Sequence, residues 1–287
     1  MRLHRSACVA LLYGICLTIA HGAAFARDRQ ECERLYQPAV GQEGKDVIWV
    51  PTDDDLVTRM LEMAQTTSSD LVIDLGAGDG KIPIAAAKQF GATAVGIEYN
   101  PDMVRLAQCY AEAEGVADKV RIIHGDIFEE DFSRATVLTL YLLPDLNIRL
   151  RPKILEMRPG TRVVSHSFLM GDWEPDDESR VNYGEAYLWI VPAKVQGQWV
   201  FTDADGRDAF TLELEQKYQK ISGSVTMNGR RQPLTDAALR GEDIRLTFAD
   251  AGGQLLTVQG KVNGEEMRLA TGTREGSRRY VGKRSSS

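Results

Sequence analysis

Three glycines and an acidic residue lie close together in one short stretch of the sequence. Asp74 comes near the end of an apolar run, and Gly76, Gly78 and Gly80 follow at alternate positions. Glycine lets the backbone turn tightly and lets a ligand approach main-chain atoms without a Cβ in the way. Such a turn between a strand and a helix is typical of nucleotide binding at the edge of a parallel sheet. We therefore expect Asp74, Ala77 and the three glycines to contact a nucleotide-like ligand.

The spacing of these glycines distinguishes between two classes of ligand. A dinucleotide site has the pattern G-x-G-x-x-G. Here the third glycine comes one residue early, and Lys81 stands where the last glycine would be. A turn of this kind suits a ligand with no pyrophosphate to place on the helix N-terminus. The alternative function is that of a nicotinamide-dependent oxidoreductase, which would bind a dinucleotide. A titration with NAD tests this alternative.

Two further acids follow the next two predicted strands. Glu98 ends the second strand, and its carboxylate can accept hydrogen bonds from both hydroxyls of a ribose. Asp126 follows the third strand and can accept a hydrogen bond from the exocyclic amine of adenine, with Ile127 packing the ring; capping of the local turn is its alternative role. Tyr99 is a further candidate contact. Because open α/β sheets bind ligands at the carboxyl ends of their strands, we expect these residues to converge with Asp74.

Strands alternate with helices in the part of the chain that must position these residues. The apolar spacing predicts an amphipathic helix over residues 53–66, with Thr52 and Asp55 forming a capping box at its start. Further strands are predicted at residues 136–141 and 162–168. This alternation predicts a parallel sheet with both faces covered, within a domain that spans residues 47–192.

The sequence pattern changes near Pro192. Beyond it, short alternating segments are separated by turn pairs such as those at residues 228–229 and 263–264, both Asn-Gly. This pattern predicts an antiparallel β-domain over residues 197–287 that closes into a small barrel or sandwich. The boundary between the domains is expected at residues 193–197.

Residues 1–26 have the three-part pattern of a secretory signal peptide, with a basic start, an apolar stretch and a small-x-small site. We expect cleavage after Ala26 and export, to the periplasm. The apolar stretch is shorter than the 20 or so residues that span a bilayer. No stable membrane span is therefore expected after cleavage, and an uncleaved anchor is the alternative. Residues 27–46 are polar and are predicted to form a loose arm or a short helix.

Composition limits the partners of the chain. It has 287 residues and a formal net charge of −7. Nucleic-acid binding needs clustered Lys and Arg against the phosphates, and no long basic run is present, so nucleic acid is not an expected partner. The spacing of His, Cys, Asp and Glu predicts no metal site. Cys32 and Cys109 either form one disulfide or stay as two thiols.

The glycine stretch and the acids that follow it resemble a known family. Residues 71–80, LVIDLGAGDG, resemble motif I of the class I S-adenosylmethionine-dependent methyltransferases, and residues 96–98 and 125–126 resemble its second and third motifs. The sequences VPT at residues 50–52 and YLLP at residues 141–144 are similar to a subgroup that includes mitochondrial protein-lysine methyltransferases of the adenine nucleotide translocase and the ATP synthase c subunit.

This resemblance covers roughly residues 47–192 and carries expectations for fold and activity. It implies a Rossmann-like methyltransferase sheet with an antiparallel last strand, S-adenosylmethionine as cofactor, and methyl transfer to a protein lysine or a small-molecule acceptor. Asp53 departs from the subgroup, which usually has a second proline there. The C-terminal β-region has no counterpart in the mitochondrial enzymes, so the identity of their substrates does not carry over.

Tyr141 is the candidate for the acceptor side of the site. It follows the fourth predicted strand, where its hydroxyl or ring face can hold an amine. Packing against the sheet edge is its alternative role. His124 and His166 also lie beside strands, and neither is assigned a role.

A third hypothesis is an exported, non-catalytic binding protein that uses the β-domain to hold its ligand. The leader favours this hypothesis, because S-adenosylmethionine is made in the cytosol and an exported methyltransferase lacks an obvious supply. Measuring whether the purified protein binds S-adenosylmethionine distinguishes a methyltransferase from a non-catalytic binding protein.

Overall fold

The computed structural model describes residues 28–250, 252–272 and 277–285, so the predicted leader lies outside the described residues. The helices are α1 (Arg29–Leu35), α2 (Asp54–Met63), α3 (Lys81–Phe90), α4 (Pro101–Ala113) and α5 (Pro144–Leu155). The strands of a first sheet are β1 (Leu71–Leu75), β2 (Thr93–Glu98), β3 (Val120–His124), β4 (Val137–Leu140), β5 (Arg162–His166), β6 (Asp177–Val181) and β7 (Gly184–Ile190).

The first sheet has the order β3-β2-β1-β4-β5-β7-β6. Strands β1 to β5 run parallel, whereas β7 runs antiparallel to β5 and β6 antiparallel to β7. The predicted Rossmann-like methyltransferase sheet with an antiparallel strand is therefore confirmed. Strand β6 was not predicted, because its sequence DESRV is polar on both faces and lies at the sheet edge, where pairing with β7 alone defines it.

Helices cover both faces of this sheet and bury two apolar cores. Helices α2, α3 and α4 pack on one face, where Leu56, Met60 and Leu106 are completely buried. Helix α5 packs on the other face through Leu150 and Ile154. Because β1 is buried along almost its whole length, the turn that follows it has a rigid base.

The start of α2 differs from the predicted capping box. The cap is Asp53, whose side chain accepts a hydrogen bond from the backbone N–H of Asp55 at 3.0 Å. An aspartate in extended backbone before a helix is a better cap than a threonine one residue earlier. Thr52 is thereby free to make a different contact, a 3.1 Å hydrogen bond between its Oγ1 and Nδ1 of His166.

The C-terminal strands form a second sheet. They are β8 (Gly197–Thr202), β9 (Asp208–Lys217), β10 (Lys220–Met227), β11 (Arg230–Pro233), β12 (Asp236–Arg240), β13 (Asp243–Ala249), β14 (Leu255–Asn263), β15 (Glu266–Thr271) and β16 (Arg279–Arg284). All nine pair antiparallel in the order β11-β10-β9-β8-β16-β15-β14-β13-β12. The predicted antiparallel β-region is confirmed, but its sheet is a curled half-barrel around Trp199, Phe201 and Phe248 and not the closed barrel that was expected.

A disulfide joins Cys32 of α1 to Cys109 of α4, with 5.6 Å between the two Cα atoms. Of the two alternatives for these cysteines, the structure therefore contains the disulfide. It holds α1 against α4, where Arg29 also pairs with Glu114 at 3.0 Å and lies over the ring of Tyr110. In the parts of the chain that the structure describes, no helix is long and apolar enough to cross a bilayer.

Candidate functional site

A cavity of about 800 Å³ opens at the carboxyl ends of β1, β2, β3 and β4. This volume falls in the range of small-molecule sites. Of the residues singled out in the sequence, those lining the cavity are Asp74, Gly76, Ala77, Gly78, Glu98, Tyr99, Asp126, Ile127 and Tyr141. The topology thus brings together residues from four strands, as their positions predicted.

The glycine turn needs its glycines for two different reasons. Gly76 and Gly78 have φ of 82° and 54°, a region that favours glycine, and both line the cavity. A Cβ on Gly78 would lie only 2.8 Å from Nε1 of Trp49. Gly80 does not line the cavity: it precedes α3, and a Cβ there would lie 2.9 Å from Cβ of Ala107. This close approach of the start of α3 to α4 accounts for glycine at residue 80.

Glu98 is held in a fixed orientation by two backbone hydrogen bonds. Its carboxylate accepts from the N–H of Gly78 at 2.9 Å and from the N–H of Asn100 at 2.8 Å. The acid therefore ties the end of β2 to the glycine turn. Its remaining lone pairs are available to hydroxyl groups of a ligand. Tyr99, beside it, is half exposed at the cavity mouth.

Asp126 is engaged at both of its oxygens. Oδ1 accepts from the N–H of Phe128 at 2.9 Å, and Oδ2 pairs with the ammonium of Lys45. The hydrogen bond from Lys45 holds the pKa of Asp126 below its usual range. Asp126 is therefore ionised at neutral pH, so it can only accept hydrogen bonds from a ligand. Ile127 beside it is buried and lines the same end of the cavity.

A backbone strap, residues 41–50, covers the cavity and was not predicted. The N–H of Gly41 donates to the carbonyl of Trp49 at 2.8 Å, and the N–H of Trp49 donates to the carbonyl of Gln42 at 2.9 Å. The strap places Trp49 over the glycine turn and Lys45 beside Asp126. Residues 41–46 are polar apart from two glycines, which predicted a loose arm or a short helix there; the glycines at residues 41 and 44 before the apolar run at residues 47–50 were the available signal.

Asp74 is buried beneath the turn, and its only described hydrogen-bond partner is Thr139 Oγ1 at 2.7 Å. Burial, assisted by the nearby charge of Glu98, raises its pKa to about 7. A carboxyl group here is thus poised to change its charge near neutral pH. Asp74 lines the cavity directly below the glycine turn.

Asp74 gives the stability of the protein a specific pH dependence. In the unfolded chain this carboxyl ionises near pH 3.8, and in the folded protein near pH 7. Between these values the folded state binds one more proton, so the contribution of Asp74 to stability is full below pH 4 and is lost as pH rises to about 7. Urea unfolding of the wild type and Asp74→Asn at pH 5 and pH 8 should show that the wild type loses about 3 kcal/mol of stability relative to the variant between the two pH values. If the free energies of unfolding of the wild type and the variant differ by the same amount at both pH values, the pKa of Asp74 is not raised in the folded protein.

Two aromatic rings, those of Tyr141 and Phe168, line another part of the cavity. The rings of Tyr141 and His166 are stacked with centroids 3.7 Å apart, and Phe168 lies 6.2 Å from Tyr141 on a nearly parallel plane. Burial lowers the pKa of His166 to about 4, so its imidazole is neutral at physiological pH. A neutral His166, fixed by Thr52, serves to hold the Tyr141 ring in place. The His124 ring lies 6.2 Å from the ring of Tyr99, between centroids, and His124 is outside the cavity lining.

The chain is similar to known methyltransferases along its N-terminal sheet. Residues 74–177 match the ANTKMT methyltransferase domain. Over 151 residues the chain is 44% identical to a protein-lysine N-methyltransferase of Saccharolobus islandicus, and the alignment covers 50% of this chain and 94% of that enzyme. A lysine N-methyltransferase of the ATP synthase c subunit from Xenopus laevis is 34% identical, over 45% of this chain and 56% of that enzyme.

A solved structure shows the same arrangement of the sheet. The crystal structure of an RNA methyltransferase from Salinibacter ruber in complex with S-adenosyl-L-homocysteine matches with a TM-score of 0.50 and 49% identity, over 51% of this chain and 96% of that chain. The residues in the cavity fit such a ligand. Gly76, Ala77 and Gly78 line the cavity, and at Gly78 a Cβ would collide with the Trp49 indole, so glycine is needed there. Glu98 and ionised Asp126 are acceptors for the hydroxyls and the amine of a nucleoside.

Proposed function

The chain belongs to the family of S-adenosylmethionine-dependent methyltransferases that carry the ANTKMT methyltransferase domain, and we propose that its methyl acceptor is the ε-amine of a protein lysine. That the chain is an enzyme with this cofactor follows from its family. The choice of acceptor is supported by one observation above others, the 44% identity that extends over 94% of an enzyme named a protein-lysine N-methyltransferase.

We assign the contacts of the cofactor from the geometry of the cavity. Glu98 would accept hydrogen bonds from the ribose hydroxyls, because its carboxylate is fixed at the end of β2 beside the turn. Asp126 would accept from the adenine amine while Ile127 packs against the ring. Gly76, Ala77 and Gly78 would lie against the amino-acid part, above Asp74.

The remaining end of the cavity fits an amine acceptor. When bound, S-adenosylmethionine supplies a methyl group on a positively charged sulfur, a donor that is already activated. The protein must then align a neutral amine with that methyl group and keep water out. The faces of Tyr141 and Phe168 attract cationic groups, and the strap with Trp49 covers the cavity. A hydroxyl on Tyr141 can accept a hydrogen bond from the amine and so orient its lone pair.

Replacing Tyr141 by phenylalanine should separate the acceptor from the cofactor. The ring and its stacking on His166 are kept, and only the hydroxyl is lost. We expect kcat for methyl transfer to fall by about tenfold, as for loss of one orienting hydrogen bond, with the dissociation constant for S-adenosylhomocysteine unchanged. Initial-rate kinetics and calorimetry measure the two quantities. Unchanged kcat would assign Tyr141 to packing alone.

The acceptor class is tested by following the methyl group itself. Purified protein is incubated with S-adenosylmethionine tritiated on the methyl group and with a cell-envelope fraction, and labelled products are hydrolysed to amino acids. The proposal expects tritium in methylated lysine and none with the Glu98→Ala variant. Label in RNA, in another amino acid or in a small molecule would overturn the lysine assignment, and the first of these would match the name of the Salinibacter ruber protein.

We further propose that the protein acts outside the cytosol. The disulfide between Cys32 and Cys109 supports this, because disulfides persist in oxidising compartments and are rare in the cytosol. The basic start and apolar stretch of residues 1–26 support it independently. Periplasmic fractionation of a C-terminally tagged chain tests the proposal, and a full-length cytosolic protein would refute it.

A further inference from the structure

The loop that follows β5, residues 167–174, forms part of the proposed acceptor wall. Phe168 lines the cavity and lies on Tyr141. The carbonyl of Phe168 accepts from Nδ2 of Asn147 at 3.2 Å, and the carbonyl of Met170 accepts from Arg151 at 2.8 Å. Helix α5 thus fixes this acceptor loop from its inner side.

The outer side of the acceptor loop is held by the C-terminal sheet. The turn between β9 and β10, residues 217–220, reaches the loop and meets Trp173, which is 1% exposed. The indole N–H of Trp173 donates to Oε1 of Gln219 at 2.9 Å, and Nε2 of Gln219 donates to the carbonyl of Glu174 at 2.7 Å. The ring of Tyr218 stacks on Trp173 with centroids 5.8 Å apart.

Charged groups surround this contact. Asp172 pairs with Arg151 at 2.7 Å and with Lys217 at 3.0 Å, and it accepts from the hydroxyl of Tyr218 at 2.9 Å. The pair of Asp172 with Lys217 is largely exposed, so it adds little stability. The buried indole is the stronger part of the contact, because an unpaired N–H there would lose its hydrogen bond without regaining water.

From this geometry we propose that the turn at residues 217–220 braces the acceptor loop, and that Gln219 is a positioning residue for methyl transfer. This inference rests on the proposed function, which places the acceptor beside Phe168. Gln219 acts through the loop, since it bonds both Trp173 and Glu174 and lies outside the cavity lining. The β-domain thereby has a role in the reaction without contacting the cofactor.

The test uses hydrogen–deuterium exchange of the full chain, which needs no acceptor. The N–H of Ser167 is bonded to Glu185 and that of Phe168 to His166, so the loop has amides that report its opening. We expect Gln219→Ala to accelerate exchange across residues 167–174 about tenfold and to leave residues 75–80 unchanged. Gln219→Glu keeps an oxygen for the indole and should restore part of the protection.

Gln259→Ala, at an exposed position on β14, is the matched control and should change neither peptide. Unchanged exchange of residues 167–174 in Gln219→Ala, or equal acceleration in residues 167–174 and 75–80, would contradict the proposal that Gln219 braces the acceptor loop. On the acceptor found with tritiated cofactor, Gln219→Ala should raise the acceptor KM about tenfold at constant S-adenosylmethionine KM. If no methylated lysine is found, the proposed function is wrong. The exchange experiment still tests whether Gln219 holds the acceptor loop, because it needs no acceptor.

Discussion

Replacing Glu98 by alanine is expected to weaken binding of S-adenosylhomocysteine by about 100-fold or more. The substitution removes a carboxylate that hydroxyls of the ribose would share, and it frees the N–H groups of Gly78 and Asn100 that now hold the end of β2 against the turn. Hydrogen bonds to a charged group contribute about 1.5–3 kcal/mol each, so losing two of them accounts for a factor of this size. Isothermal titration calorimetry measures the change.

The matched control for Glu98 is Glu129→Ala. Glu129 is an exposed acid just beyond Asp126 and makes no side-chain hydrogen bond or ion pair in the described structure. The Glu129→Ala variant should bind S-adenosylhomocysteine as tightly as the wild type does. If Glu98→Ala binds as tightly as this control, Glu98 does not contact the ribose.

Replacing Cys32 and Cys109 together by serine is expected to lower the free energy of unfolding by about 3 kcal/mol. The disulfide closes a loop between residues 77 apart in sequence, and a crosslink of this span restricts the unfolded chain strongly. Helix α1 would lose its covalent tie to α4 and would be held there by Arg29 and its partners. Urea denaturation of the two proteins gives the difference.

Reduction provides the control for the double variant. Dithiothreitol should destabilise the wild type by a similar amount and leave the serine variant unchanged. Free-thiol titration of the protein purified without reductant should find Cys32 and Cys109 oxidised. Equal stability of both proteins under oxidising conditions would show that the crosslink does not stabilise the fold.

Local sequence patterns were sufficient to predict the site residues that follow the first three strands of the sheet. Gly76 and Gly78 follow a buried strand, and Glu98 and Asp126 follow the next two strands, so parallel order alone brings these four residues to one edge. Gly80 shows the limit of that reasoning. Its alternation with the other glycines predicts a ligand contact, whereas the structure places it against Ala107, a packing partner that only the folded arrangement of α3 and α4 supplies.

The cover and the outer wall of the site could not be predicted, because they depend on pairs far apart in sequence. Lys45 meets Asp126 across 81 residues, and Gln219 meets Trp173 across 46. Neither pair follows a helical or strand period that sequence patterns detect. The strap is polar before residue 47, and this composition gives no signal of the turn that its backbone makes there.

A crystal structure of this protein with S-adenosylhomocysteine tests the assignment of the cofactor site most directly. We predict that the ligand lies in the cavity of the first sheet, with Glu98 within hydrogen-bond distance of both ribose hydroxyls and Asp126 within reach of the adenine amine. The sulfur should face the end of the cavity where Tyr141 stacks on His166. A ligand bound elsewhere, or one whose ribose does not touch Glu98, would contradict the assignment.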